Sequence, residues 1–141
     1  MFNFTGQHIL IMRLITQFGI KSSTMLNNFL FLASAESLDY YDIGFYDFLR
    51  TKNGAFSPTL QSILEELIVG QLLNKDSFTL TTKGMDTYCT LANALKPFEA
   101  YMDCCFTIYM QHKDCLDSVN TALKTHIRFR KAKQGKKLFS L

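Results

Sequence analysis

The sequence predicts a mostly α-helical domain with one short β-hairpin, and three features of its 141 residues point there. Apolar residues recur at helical spacing through most of the chain. A Ser-Pro pair follows an Asn-Gly turn in mid-sequence. A Thr/Leu-rich stretch broken by polar turn residues comes just after the helix that this pair opens. Hydrophobic residues make up 48% and charged residues 19%, which excludes a disordered chain and leaves more apolar surface than a small monomer readily hides. The length fits one domain.

The first helix is expected over residues 5–18. Ile11, Leu14, Ile15 and Phe18 form its stripe, Ile9, Leu10 and Met12 widen that stripe almost all round, and Gly19 stops it. Ser22 and Ser23 offer an N-cap for a second helix bearing Met25, Leu26, Phe29, Leu30 and Leu32, which ends near Ser34. In SLDYYDIGFYDFL, Leu38, Tyr41, Phe45, Phe48 and Leu49 share one helical face while Ile43 and Phe45 alternate as in a strand; helix is the expectation. A turn at Asn53-Gly54 then leads to Ser57 as N-cap and Pro58 at the first helical position, where its missing N–H costs nothing. Leu60, Ile63, Leu64, Leu67 and Ile68 face inward on this third helix, and Gly70 closes it. Residues 71–73 and 78–80 are strand candidates around the polar turn 74–77.

Two helices, a turn, a third helix and a two-stranded hairpin are the order of a winged helix-turn-helix core, with the hairpin as wing and the third helix as the usual recognition element. Further helices are expected over 82–94, 97–111 and 113–127. The second of these carries a seam of Phe98, Tyr101, Met102, Cys105, Phe106 and Tyr109. The expected organisation is one winged-helix domain with a helical C-terminal extension over 1–127 and a basic tail over 128–141.

The stretch YDFLRTKNGAFSPTLQSILEELIVGQLLNKDSFTLTTKG, from Tyr46 to Gly84, has Y-D-F, G-x-F-S, L-x-x-L and L-T-x-K-G positions. On these it resembles the YwgA-like bacterial winged-helix family, and TMLNNFLFLA is similar to that family's apolar second helix. SLDYYDIGFYDFL, followed by a glycine and a Ser-Pro helix start, also resembles the small middle component of bacterial three-component systems built around an SMC-like ATPase, the Lamassu type of plasmid and phage defence. Both resemblances imply a winged helix, and the second implies an accessory subunit beside an SMC-like ATPase and a nuclease. Neither accounts for the helices after Thr82 or for the tail.

The net charge of +3 hides a division. Up to Asp117 there are eight Lys/Arg against twelve Asp/Glu, whereas from Ser118 onward Lys124, Arg128, Arg130, Lys131, Lys133, Lys136 and Lys137 meet no acid. Seven cations without an acid are a candidate phosphate-neutralising segment. The alternatives are a solvated terminus, or a docking peptide whose Phe129, Leu138, Phe139 and Leu141 insert into a partner. Removing 128–141 is expected to abolish salt-sensitive DNA binding and leave the fold intact. The recognition-helix segment carries Glu65 and Glu66, no cation, and only Gln61 as a base reader, which disfavours sequence-specific readout. Arg50 and Lys52 before it, and Lys75 and Lys83 around the wing, are candidate phosphate contacts.

No catalytic motif is present. Asp39, Asp42 and Asp47 with Tyr40, Tyr41 and Tyr46 form the densest polar cluster, but no nearby His, phosphate loop or nucleophile completes a site, so capping and surface roles are expected. Cys104, Cys105, His112 and Cys115 lack metal-ligand spacing, and with Cys89 the cysteines read as reduced thiols. His8 and His126 receive no role. The opening residues MFNFTGQHIL show no signal-peptide pattern and no apolar run reaches membrane-spanning length, so a cytoplasmic protein without metal or cofactor is expected. Two functions follow. The first is a non-enzymatic adaptor that packs Phe98, Tyr101, Met102, Phe106 and Tyr109, with Phe129 and Phe139, on a larger subunit and lends its tail to nucleic acid. The second is a homodimeric transcription regulator paired through residues 97–111.

Overall fold

A computed structural model describes residues 5–38 and 44–139, and its elements are mostly helical. Helix α1 (Gly6–Phe18) begins where the Thr5 backbone N–H donates to His8 Nδ1 at 3.2 Å. It ends at Gly19, whose φ of +65° lets its N–H reach back to the Ile15 carbonyl. Helix α2 (Ser23–Ala35) is capped by Ser22 Oγ, which accepts from Met25 N–H at 3.1 Å. It is buried on every side, because α5, α6 and the first hairpin pack around it.

That first hairpin joins β1 (Leu49–Thr51) to antiparallel β2 (Gly54–Phe56), with Leu49 opposite Phe56. Helix α3 (Pro58–Val69) starts as its Ser-Pro signal predicts, with Ser57 Oγ accepting from Leu60 N–H. The second hairpin, β3 (Leu73–Asn74) with β4 (Thr79–Leu80), is shorter than expected. Phe78 next to it takes φ +51°, so the strand cannot begin there. Helix α4 (Thr82–Leu91) passes through a 3-10 stretch, Ala92–Phe98, into α5 (Glu99–His112). The helix expected over 82–94 therefore stops early. After a 3-10 turn at Leu116–Ser118 come α6 (Val119–Thr125) and α7 (Ile127–Lys131). The single helix expected over 113–127 is broken at His126, whose extended backbone (ψ 137°) makes it the N-cap of α7.

The helix expected through SLDYYDIGFYDFL is corrected in part. Asp39, Tyr40, Tyr41, Asp42 and Ile43 lie outside the described residues; residues 44–48 are not helical, and Leu49 opens β1. Tertiary hydrogen bonds replace helical ones here: Ser34 Oγ donates to the Phe45 carbonyl, and Phe45 N–H donates to Tyr101 Oη at 3.4 Å. Gly44 lets the Tyr101 ring in, since a Cβ there would lie 2.4 Å from a ring carbon.

Two adjacent amides in the apolar α2 hold the first hairpin. Asn27 Oδ1 accepts from Ser57 N–H at 2.8 Å, and Asn28 Oδ1 accepts from Ala55 N–H at 3.1 Å while its amide donates to Asn120 Oδ1 on α6. These buried polar groups are thus satisfied, and they tie three elements together.

The segment expected as a free tail is part of the folded body. Beyond α7 the chain runs antiparallel along the open edge of β1, where Leu49 bridges Lys137. Arg50 N–H donates to the Lys136 carbonyl, Gly135 N–H to the Arg50 carbonyl and Leu138 N–H to the Phe48 carbonyl, at 2.7–2.9 Å. Phe139, 1% exposed, packs against the rings of Phe31, Tyr46 and Phe48. The aromatic and aliphatic residues of this segment, too sparse for a periodic pattern, meet an apolar wall already formed by the rest of the chain. Among the described residues no helix is long and apolar enough to cross a membrane.

Candidate nucleic-acid interface

The cationic segment is built on one internal arginine. Arg50 on β1 directs its guanidinium inward, where Nη1 donates to the carbonyls of Phe129 at 2.7 Å and Ala132 at 2.6 Å. These are C-terminal carbonyls of α7, which lack partners within so short a helix. Arg50 also lies over the Phe129 ring, 4.4 Å from its centroid. Its expected place among the phosphate contacts is therefore replaced by a structural one, because its guanidinium is taken up by carbonyls and a ring of its own chain.

Around this staple the remaining cations face solvent. Lys124, Arg130, Lys131, Lys133, Lys136 and Lys137 are exposed, and among the described residues none makes an ion pair with a carboxylate. Arg128 is half-buried, with its guanidinium 5.2 Å from the centroid of the Phe139 ring. The turn from Lys133 to Lys136 is closed by Lys136 N–H donating to the Lys133 carbonyl, and Gly135 supplies the φ of +83° that it needs. Since Leu49 opposes Lys137 in an antiparallel pair, the register carries Lys52 to the same end of this unit as that turn. Lys52, Lys133 and Lys136 thus share one rim. The other two candidates belong to the second hairpin and α4: Lys75 is exposed, while Lys83 Nζ donates to the Gly70 carbonyl at 3.2 Å.

The solvent face of α3 is acidic and partly self-engaged. Glu65 is exposed and accepts from Gln61 Nε2 at 3.1 Å, which occupies the one amide that reads as a base contact. Glu66 lies 3.6 Å from His8 Nε2.

The residues expected at a protein partner divide into two sets. Phe98, Tyr101, Phe129 and Phe139 are buried in the chain's own core, so they are closed to a partner. Tyr101 is fixed by its hydroxyl, 2.7 Å from Ser34 Oγ, and burial pushes its pKa well up. Burial likewise raises the Cys105 thiol, which behaves as a small core hydrophobe. Met102 and Tyr109 are half-buried, Tyr109 stacking on Phe18 with centroids 4.5 Å apart. Phe106 remains 48% exposed and, with Met110 at 45%, leaves an apolar strip on α5. Met110 lies outside the seam read from the sequence; its signal is its place four residues beyond Phe106 on the same helix.

The polar clusters resolve into structural roles where they are described. Asp47 caps the start of α3, accepting from the hydroxyls of Ser57 and Thr59 and from Thr59 N–H. His112 Nδ1 is 2.5 Å from Ser118 Oγ, and His126 Nδ1 accepts from Arg128 N–H at 3.2 Å. Among the described residues no group of His, Cys, Asp or Glu is arranged to hold a metal ion. No protein-family model, curated protein or solved structure matches this chain.

Proposed function

We propose that this chain is a non-enzymatic accessory subunit that contacts nucleic-acid phosphates through the cationic surface of residues 124–137 and docks on other subunits of its assembly through α5. The observation that carries the proposal is the display of six exposed cations, with no acid in their own segment, on α6, α7 and the strap that is fixed to β1. Ordered cations lose less entropy on binding than cations on a free tail, which favours association. Such binding is insensitive to sequence, because phosphates carry no base information. Glu65 and the engaged Gln61 support the same view of α3. The order α2, α3 and the β3–β4 hairpin supports a winged-helix reading, with the β1–β2 hairpin inserted where a tight turn is usual. The resemblance of residues 46–84 and of SLDYYDIGFYDFL supports membership of a defence-type SMC-like ATPase and nuclease assembly.

The test is equilibrium binding to a random-sequence duplex over a range of salt. Neutralising Lys133, Lys136 and Lys137 to Gln is expected to weaken binding and flatten the slope of log K against log salt by about 0.9 for each phosphate that is no longer neutralised. Unchanged affinity and slope would refute the phosphate role. A homodimeric regulator is the second reading, favoured by the exposed strip on α5. A fixed footprint within one DNA sequence would support it, and indifference to sequence would count against it.

A further inference from the structure

The exposed strip of α5 is symmetrical about Phe106. Glu99, Met102, Phe106, Met110 and Lys113 fall at successive spacings of three, four, four and three residues, so they share one face of a straight helix. Lys113 is the C-cap residue, one position beyond the helix. An acid stands at one end and a base at the other, separated by about 21 Å along the axis at 1.5 Å per residue. The apolar centre consists of Met102, half-buried, and the exposed Phe106 and Met110.

From this arrangement we infer that α5 pairs antiparallel with α5 of a second copy, across a two-fold axis at Phe106. This rests on the reading of α5 as a docking face and names its occupant. In that pairing Phe106 meets its own equivalent, Met102 meets Met110 and Glu99 meets Lys113. Along this strip the apolar side chains are thus matched by apolar ones and Glu99 by a base, so the patch is complementary to itself as an isologous interface requires. A parallel pairing sets Glu99 against Glu99 and Lys113 against Lys113 and is disfavoured by like charge. The surface beside the strip is also shaped to receive a side chain. A cleft of about 290 Å³ between α1 and α5 has an apolar wall of Leu14, Phe18, Met102 and Phe106 and a polar rim that includes Arg13, Glu99 and Asp103. Met110 of the second copy, set opposite Met102, enters it. Asp103 falls opposite Tyr109, whose hydroxyl can donate to the carboxylate.

Light scattering on the purified full chain across the micromolar range tests the pairing. The expected mass is twice 16.2 kDa, falling toward the monomer on dilution. Phe106→Glu sets two carboxylates together on the axis and is expected to give monomer, with an unchanged circular dichroism spectrum as a check on folding. Glu99→Lys and Lys113→Glu are each expected to raise the dimer dissociation constant severalfold, and the two together to restore it. A monomer at every concentration overturns the self-pairing, and so does a dimer indifferent to all of these substitutions. Either result leaves the phosphate reading, measured on DNA, where it stands.

Discussion

The guanidinium of Arg50 lies 4.4 Å from the centroid of the Phe129 ring and donates to the Phe129 carbonyl at 2.7 Å, so one residue of β1 holds both the side chain and the backbone of α7. With the second short bond, to Ala132, it closes the C-terminal end of that helix. Hydrogen bonds from a charged donor are worth about 1.5–3 kcal/mol each when a partner is left unpaired. Arg50→Ala is expected to lower the unfolding free energy in urea by about 2–3 kcal/mol, allowing for partial rehydration of the carbonyls. Arg50→Lys is expected to recover only part of the loss, since an ammonium can donate from one nitrogen as Nη1 does but lacks the flat guanidinium that lies over the Phe129 ring. Equal stability of Arg50→Lys and the unsubstituted chain would show that charge alone suffices.

Phe139 makes a second prediction, at the far end of the same strap. Its ring is buried among Phe31, Tyr46 and Phe48. Phe139→Ala is expected to cost about 3–5 kcal/mol, the range for emptying an aromatic site in a core. Deleting 128–141 is then expected to destabilise the whole domain, contrary to the expectation from sequence that the fold survives it. A truncated chain with an unaltered melting temperature would contradict the burial.

Asn28 and Gly54 form a matched pair. Gly54 has φ +134°, and a Cβ there would lie 2.6 Å from Asn28 Oδ1. Asn28→Leu leaves the buried Ala55 N–H without its acceptor and is expected to cost about 1–3 kcal/mol. Gly54→Ala is expected to be destabilising through both the clash and the backbone conformation. The double variant should be less destabilised than the sum, because both substitutions act where the same two groups meet, and a double-mutant cycle in urea measures this.

Stability is expected to fall on mild acidification. Burial lowers the pKa of His126 below its ordinary 6.5, the nearby Arg128 lowers it further, and Glu36 opposes both. Burial lowers that of His8 too, against the pull of Glu66. The unfolded chain therefore takes up protons at a pH where the folded chain resists them. The stability that these groups contribute is complete above the unfolded value and is lost as pH falls through the folded one. Protonation of His126 would also remove the acceptor for Arg128 N–H. The urea midpoint should drop between about pH 7.5 and about pH 5, and His126→Asn should make the drop shallower. A midpoint that rises over this interval would overturn the assignment.

Local chemistry determined much of the architecture. Gly19, Ser22, Ser57-Pro58 and Gly70 act at helix ends through bonds to residues three or four positions away, so α1, α2 and α3 appear in the sequence with nearly their observed limits. The mostly helical class and the second hairpin follow from the same short-range rules. The charge division is also plain in the sequence, since it is a count. What the tertiary structure decided is where those charges stand and which aromatics are free. Arg50 reads as one more surface cation until Phe129 and Ala132, about 80 positions away in the chain, present their carbonyls to it. Residues 132–139 have no periodicity because they fold as a strap, whose bonds go to Phe48 and β1 and whose Phe139 ring packs on Phe31 of α2, Tyr46 and Phe48. Residues 44–48 leave the helical pattern because Gln7 bonds to the Gly44 carbonyl, Ser34 and Tyr101 to the backbone of Phe45, and Leu138 to the Phe48 carbonyl. Spacing along the chain records interactions within a turn or a helix, while these are made between segments that meet only when the core closes.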